Sequence, residues 1–132
     1  MEAQTKKTFN LGRGGLAEIR GGVPCFCALG IVAHERTGKS FEEIKAKPDY
    51  GSLINSTDVI KMAEAIWGSA EAAKRYGSSA AELVEEANFS YSDVYGPNDS
   101  WASVHLIQAA LKAVGIDVDL IDMRRYPSGN NY

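Results

Sequence analysis

The chain has 132 residues, of which 45% are hydrophobic and 23% are charged, so it is too apolar to be disordered. Its net charge of −3 argues against nucleic-acid binding, because such surfaces neutralise phosphates with lysine and arginine. No apolar stretch approaches the ~20 residues that cross a bilayer, and the N-terminus lacks the apolar core of a signal peptide. We therefore expect one compact domain with no membrane or nucleic-acid partner, and flexible tails at 1–10 and 124–132.

The first part of the chain contains a glycine-rich segment followed by a strongly apolar run. Residues 8–22 predict a turn with at most one short helix. The run that opens with Pro24 predicts a central, buried helix over about 24–37, since proline suits a first helical turn. Gly30 lies inside this helix, where glycine is unfavourable, and therefore predicts the close approach of another backbone.

The middle of the chain predicts short helices with local start and stop signals. Ser40 and Glu43 form a capping box, and Pro48 ends the helix that they start. A second capping box is predicted at Ser79 and Glu82. A loop is predicted over 49–56, and further helices over 57–67, 69–76 and 79–88.

The last part of the chain predicts an aromatic loop, a long helix and a strand. The loop covers 89–97, and the helix runs over 101–114. Residues 116–123 alternate apolar and acidic side chains, which is typical of a half-buried strand. The expected fold is mainly α within the α+β class. It is a compact bundle of short helices around the central helix, with a small β element near 116–123.

The segment before the long helix supplies the first candidate site. Asparagine and aspartate are preferred helix caps, and tryptophan anchors a first turn into a core. The same segment has a functional interpretation, in which free N–H groups at the helix start and nearby aromatic rings hold a small polar ligand. The candidate ligand-binding residues are Tyr91, Tyr95, Asn98, Asp99 and Trp101.

A thiol nucleophile is the second candidate. Cys27 lies near the predicted N-terminus of the central helix, where the helix dipole lowers a thiol pKa. His105 would serve as the base, and Asn98 or Asp99 would orient it. The arrangement resembles papain-like hydrolases, which place cysteine on a central helix, although their histidine lies on a later strand. We favour the simpler interpretation of a buried structural cysteine and a surface histidine.

Three weaker patterns do not indicate a cofactor or a metal. Residues 12–17 match the spacing of a dinucleotide fingerprint, but no buried strand is predicted before them. Residues 38–40 resemble the end of a phosphate loop that lacks its first glycine. Cys25 and Cys27 supply only two of the four ligands of a closed zinc site. We expect no cofactor and no metal, and two cysteines without a disulfide framework favour a reducing cytosol.

Three motifs occur together in this chain: Arg13-Gly14-x-Leu16, the run Phe26–Ile31, and Asn98-Asp99 before an apolar helix. Their combination resembles a family of small uncharacterised phage and bacterial proteins. The resemblance implies an intracellular, mainly helical, phage-encoded domain in which the Cys27 helix packs near the Asn98-Asp99 turn. It implies no activity. The chain differs from the family pattern by a longer middle and by the C-terminal strand.

The leading functional prediction is a non-enzymatic cytoplasmic binding protein. It would act as a phage accessory factor that engages a host protein or a small polar ligand. The alternative is a cysteine-dependent, papain-like hydrolase or transferase that uses Cys27 and His105. The sequence carries no signal for a particular oligomeric state.

Overall fold

The computed structural model describes residues 6–128, which contain four strands and eight helices. The strands are β1 (Lys7–Leu11), β2 (Ala17–Arg20), β3 (Val23–Phe26) and β4 (Val118–Asp122). The helices are α1 (Ala28–Thr37), α2 (Phe41–Ala46), α3 (Tyr50–Leu53), α4 (Ser56–Trp67), α5 (Ala70–Tyr76), α6 (Ser78–Glu86), α7 (Ser92–Ser100) and α8 (Val104–Ala113). With 54% of residues in helices and 15% in strands, the predicted mainly helical α+β class is confirmed.

The four strands form one mixed sheet in the order β2-β3-β1-β4. Strand β1 runs parallel to both of its neighbours, β3 and β4, whereas β2 and β3 form an antiparallel hairpin. Gly21 and Gly22 connect the hairpin with φ angles of 57° and 79°, because a two-residue type I′ turn requires positive φ at both positions. The prediction of a turn and one short helix over 8–22 is therefore wrong. The predicted strand near 116–123 is confirmed as β4, within a larger sheet.

The central helix is shorter than the apolar run that predicted it. It begins at Ala28, and Cys27 is its extended N-cap residue. The preceding part of the run, including Pro24, lies in β3 and pairs with β2. A short apolar run suits a buried strand as well as a helix, which is why the predicted start at residue 24 is wrong. The residues Ala28–Ala33 are all buried, as expected of a central helix.

Gly30 is the point at which another backbone touches α1. A Cβ at this position would lie 1.9 Å from the carbonyl oxygen of Leu16. The same carbonyl accepts a hydrogen bond from the Cys27 N–H at 3.3 Å. The predicted close approach is thus confirmed, and it joins α1 to the loop between β1 and β2.

Local caps organise the middle of the chain. The capping box of Ser40 and Glu43 is present, and Asn55 and Ser69 cap α4 and α5 with their side chains. Two local predictions are wrong. The expected loop over 49–56 contains α3, and α6 begins at Ser78 without a side-chain cap.

The predicted aromatic loop is instead helix α7, with Pro97 inside it. Proline has no N–H to donate to the carbonyl of Asp93, four residues earlier. The Asp93 carbonyl instead accepts a hydrogen bond from Trp67 Nε1 at 2.8 Å, so it is not left without a donor. Because α7 continues through Ser100, the last helix begins later than predicted, and Ser103 caps it.

The structure corrects the expected flexible tails at both ends of the chain. Residues 7–10 form most of β1, where they pair with β4. At the other end, Ser128 bridges to Arg20, and the Pro127 carbonyl accepts from the Gly21 N–H at 3.3 Å. Residues 1–5 and 129–132 of the predicted tails lie outside the described residues.

The hydrophobic core lies where α1, α4, α7 and α8 meet the sheet. Helix α8 packs against α4 and β4, and α7 packs against α1 and α4. Within residues 6–128, no helix combines the length and the apolar character required to cross a membrane.

Candidate functional site

The parallel strands β1, β3 and β4 all end at the same edge of the sheet. The segments that follow them begin with Gly12 and Arg13 after β1, Cys27 after β3, and Met123 after β4. In sheets with parallel strands, ligands commonly bind outside these carboxyl ends, because the connecting loops leave a crevice there. A ligand-binding site is therefore expected at this edge of the sheet.

Asn98 holds this edge together from the interior. Its side chain is fully buried, and Oδ1 accepts from the Ala28 N–H at 3.1 Å. Its Nδ2 donates to the Gly12 carbonyl at 2.9 Å and to Asp99 Oδ1 at 3.0 Å. Asn98 therefore caps α1, 70 positions away, and not the last helix as predicted. Since Asn98 is buried, its predicted contact with a ligand is wrong.

Arg124 connects β4 to the same edge. Its Nη1 donates to the carbonyls of Asn98 and Ala102 at 2.9 and 2.7 Å. Its Nε and Nη2 donate to the two carboxylate oxygens of Asp122 at 2.9 and 3.1 Å. The hydrogen bond from Arg124 lowers the pKa of Asp122 below its ordinary value. Arg124 is thus fully engaged in positioning the chain.

Next to Arg124 lies an open cleft of about 460 Å³. Arg13 crosses it and donates from Nε to the Arg124 carbonyl at 3.0 Å and from Nη1 to the Asp99 carbonyl at 3.4 Å. Arg125 is exposed, and among residues 6–128 neither Arg13 nor Arg125 forms an ion pair with a carboxylate. We call this site the arginine cleft. Its lining residues are Arg13, Asp99, Ser100, Asp122, Arg124 and Arg125.

The loop that carries Arg13 is fixed from below by Arg20, which is 7% exposed. Arg20 donates from Nε and Nη2 to the Arg13 carbonyl at 3.2 and 2.9 Å, and from Nη1 to the Tyr126 carbonyl at 2.6 Å. It also pairs with Glu18 at 3.2 Å. Burial nevertheless raises the pKa of Glu18 above its ordinary value, because desolvation outweighs the attraction of Arg20.

The five predicted ligand-binding residues do not share one site. Asp99 lines the arginine cleft, while Tyr91 and Tyr95 line a separate depression of about 320 Å³ with Tyr50. Trp101 lines a third depression, beside α5. Because these residues lie on or beside a helix and not in a loop, successive side chains point about 100° apart. Burial raises the pKa of Tyr50 to about 12, so the phenol of Tyr50 stays neutral.

The predicted thiol site is not assembled. Cys27 is 1% exposed, its Sγ accepts from the Gly30 N–H at 3.4 Å, and burial raises its pKa to about 12. The helix N-terminus favours a thiolate, but complete desolvation is the larger effect here. His105 is exposed on α8, and no hydrogen bond joins it to Cys27. Cys25 is also buried and free.

Among the residues that the structure describes, no group of three or more His, Cys, Asp and Glu side chains is arranged to hold a metal ion. The described part of the chain therefore offers no metal centre to set beside the arginine cleft.

The three arginines of the cleft were not among the residues predicted from the sequence. Arg124 and Arg125 fall in a segment predicted to be a tail, and Arg13 falls in a rejected fingerprint. One signal was available, because a pair of arginines directly after a predicted strand lies where parallel strands place ligand contacts. Using that signal required knowing that β1 is a strand and runs parallel to β4.

Comparison of the chain with known protein families, curated proteins and solved structures found no match. The resemblance to phage and bacterial proteins therefore stays a prediction. The contact that it implied, between the Cys27 helix and Asn98, is present in the structure.

Proposed function

We propose that this chain is a non-enzymatic binding protein that holds the phosphate or carboxylate group of a small ligand in the arginine cleft. The observation that carries the proposal is the pair Arg13 and Arg125. Both line one cleft, and neither forms an ion pair within residues 6–128. In a chain of net charge −3, two such cations in one crevice favour an anionic ligand.

The hydrogen bonds of the cleft support a site that is formed before the ligand binds. A guanidinium carries five N–H donors in a planar fork that matches carboxylate and phosphate oxygens. Arg13 uses Nε and Nη1 on backbone carbonyls, which fixes its plane and leaves further donors for a ligand. Preorganised donors bind more tightly because less side-chain entropy is lost.

The remaining charges of the cleft add selectivity for a ligand that is more than a bare anion. The negative charge of Asp122 is compensated by the paired guanidinium of Arg124, so it opposes an anionic ligand only weakly. Asp99 directs Oδ1 to Asn98, which leaves Oδ2 as an acceptor for a ligand hydroxyl or amine. We therefore propose a ligand that combines one anionic group with a neighbouring hydrogen-bond donor.

The burial of Cys27, the nucleophile of the alternative prediction, supports binding over cysteine catalysis. Catalysis by Cys27 would need an accessible thiolate, whereas its thiol is buried and has a pKa of about 12. We propose a reducing cytoplasm as the compartment, in keeping with two free cysteines. A role as a phage accessory factor follows from the sequence resemblance alone and belongs to the same proposal.

The proposal is tested by thermal unfolding with inorganic phosphate, using potassium chloride of equal ionic strength as the reference. A ligand that binds only the folded state raises Tm as its concentration exceeds Kd. We expect Arg13→Ala and Arg125→Ala each to weaken phosphate binding by about tenfold or more. Lys112→Ala, which removes an exposed cation on α8 outside the cleft, is the control.

Phosphate also stabilises proteins non-specifically by exclusion from their surfaces, and the variants separate the two effects. Specific binding predicts that the phosphate-dependent rise in Tm is lost in the cleft variants and kept in Lys112→Ala. An equal rise in all four proteins would contradict the proposed site.

A further inference from the structure

A second surface, distinct from the arginine cleft, is formed by three aromatic side chains. Trp101 contacts Trp67 and Tyr76 edge to face, with ring centroids 5.4 and 5.6 Å apart, and Trp67 and Tyr76 lie 5.2 Å apart. Tyr76 is 41% exposed and both tryptophans are half-buried. We call Trp67, Tyr76 and Trp101 the aromatic patch. It lies where α4 and α5 end and where α7 connects to α8.

The fold holds this patch in place through polar contacts on its inner side. The Asp93 carbonyl that Pro97 leaves free accepts from Trp67 Nε1, which sets the plane of that indole. The Glu71 carboxylate accepts from the N–H of Ser103 at 3.0 Å and from its hydroxyl, which ties α5 to the start of α8. These bonds fix the backbone on the inner side of the patch, while its rings face solvent.

Two cations flank the aromatic patch. Lys74 and Arg75 are exposed on α5, and the Arg75 guanidinium lies 6.0 Å from the centroid of the Tyr76 ring. Neither residue forms an ion pair with a carboxylate in the described part of the chain. The nearby Glu71 is occupied by its bonds to Ser103. The surface beside Trp101 thus carries two positive charges and one negative charge, that of Glu71, which forms no ion pair with either cation in the described part of the chain.

We propose that the aromatic patch docks an acidic segment of a partner protein. An apolar side chain of that segment would occupy the depression of about 370 Å³ that Trp101 lines with Glu71, Lys74 and Arg75. Its carboxylates would lie against Lys74 and Arg75. Tryptophan, tyrosine and arginine dominate the binding energy of protein interfaces, and complementary charge sets the choice of partner.

Stacking aromatic rings and basic side chains also bind single-stranded nucleic acid. That interpretation is weaker here, because affinity for nucleic acid grows with the number of neutralised phosphates, and the patch offers two cations. We therefore commit to an acidic protein segment, with nucleic acid as an outcome of the test.

Intrinsic fluorescence provides a direct readout, because the only two tryptophans of the sequence, Trp67 and Trp101, both belong to the patch. The full chain is titrated with an octapeptide of alternating aspartate and leucine. The comparison probes are the lysine–leucine and the aspartate–serine octapeptides and an oligothymidylate. We expect the aspartate–leucine peptide alone to change the emission strongly, and we expect added salt to weaken its binding.

The double variant Lys74→Ala/Arg75→Ala changes only exposed side chains and leaves the tryptophans as reporters. We expect it to bind the aspartate–leucine peptide about tenfold or more weakly, while Lys112→Ala, which removes an exposed cation outside the patch, binds as the wild type does. Equal binding of the lysine–leucine peptide, or unchanged binding by the double variant, would overturn the proposal. A larger response to oligothymidylate would overturn it in favour of nucleic acid.

Discussion

The helices between residues 40 and 77 and the carboxyl edge of the sheet are both built on capped helix ends, but the caps come from different distances. Ser40, Asn55 and Ser69 each cap the helix that begins at the next residue. Asn98 caps α1 from 70 positions away and also binds the Gly12 carbonyl. A local cap supports one helix end, whereas Asn98 joins two distant segments directly and Arg124 joins a third to them.

This difference explains why the edge carries the proposed site. A ligand contact must be held in place by groups whose own positions are fixed. The long-range bonds of Asn98, Arg124 and Arg20 fix the backbone on both sides of the arginine cleft. The caps Ser40, Asn55 and Ser69 make their side-chain bonds within three residues of themselves, so substituting a cap should have a smaller effect there than at the edge.

The largest effect is expected from Gly30→Ala. The new Cβ would lie 1.9 Å from the Leu16 carbonyl oxygen, so either α1 or the loop between β1 and β2 must move. We expect a loss of about 3 kcal/mol or more in the free energy of unfolding, measured by urea denaturation. Gly96→Ala, in α7 with no neighbour near its Cβ, is the control and should be neutral or stabilising. Similar losses for both variants would contradict the close approach.

The next largest effect is expected from removing a long-range cap, in comparison with removing a local one. Asn98→Ala leaves the buried Ala28 N–H and Gly12 carbonyl without their partner, which should cost about 2–4 kcal/mol. Ser40→Ala removes a local, exposed cap and should cost about 1 kcal/mol. Both are measured by urea denaturation under the same conditions. If Ser40→Ala proved as costly as Asn98→Ala, the distinction between the two regions would be lost.

At the carboxyl edge, substitutions of two adjacent arginines should differ in their effect on stability. Arg124→Ala removes bonds to Asn98, Ala102 and Asp122, and should cost about 2 kcal/mol. Arg125→Ala changes an exposed side chain and should stay within about 0.5 kcal/mol of the wild type. Thermal and urea unfolding of both variants would check this. A large loss of stability in Arg125→Ala would mean that the Arg125 side chain supports the fold, which contradicts its proposed role as a free ligand contact.

The smallest effect is the pH dependence of the pair between Arg124 and Asp122. Because the folded state lowers the pKa of Asp122, the pair stabilises the fold above the ordinary carboxyl pKa. That contribution is lost as the pH falls through the folded-state pKa. Asp122→Asn should therefore be less stable than the wild type at about pH 7, and the difference should fade below about pH 4. A difference that stays constant with pH would contradict the ion pair.

Local signals were sufficient for the part of the fold that local contacts build. The capping box at Ser40 predicted a helix that is present, the helix predicted over 69–76 is present as α5, and alternation predicted β4. Gly21-Gly22 is a hairpin signal, but the hairpin was not predicted because the flanking segments were not recognised as strands. Helix α7 could not be predicted from its local sequence, because Pro97 is unfavourable inside a helix. The Asp93 carbonyl that Pro97 leaves without a donor is bonded by the distant indole of Trp67.

The arginine cleft could not be predicted in the same way. Its residues come from three segments, around Arg13, Asp99 and Arg124, which are brought together by the parallel pairing of β1 with β4. No local pattern specifies which strands pair or in which direction. The predicted site failed for a related reason. Tyr91 was expected in a loop and Asn98 and Trp101 at the start of the last helix, whereas all three lie on or beside α7.

The most direct measurement is an amide and arginine Nε–Hε NMR titration of the full chain with inorganic phosphate. The account predicts progressive, saturating shifts that are confined to Arg13, Ser100, Arg125 and their immediate neighbours. Arg36, whose guanidinium is already paired with Asp58, should not respond. Shifts spread evenly over all surface cations, or no saturable shift at Arg13 and Arg125, would contradict it.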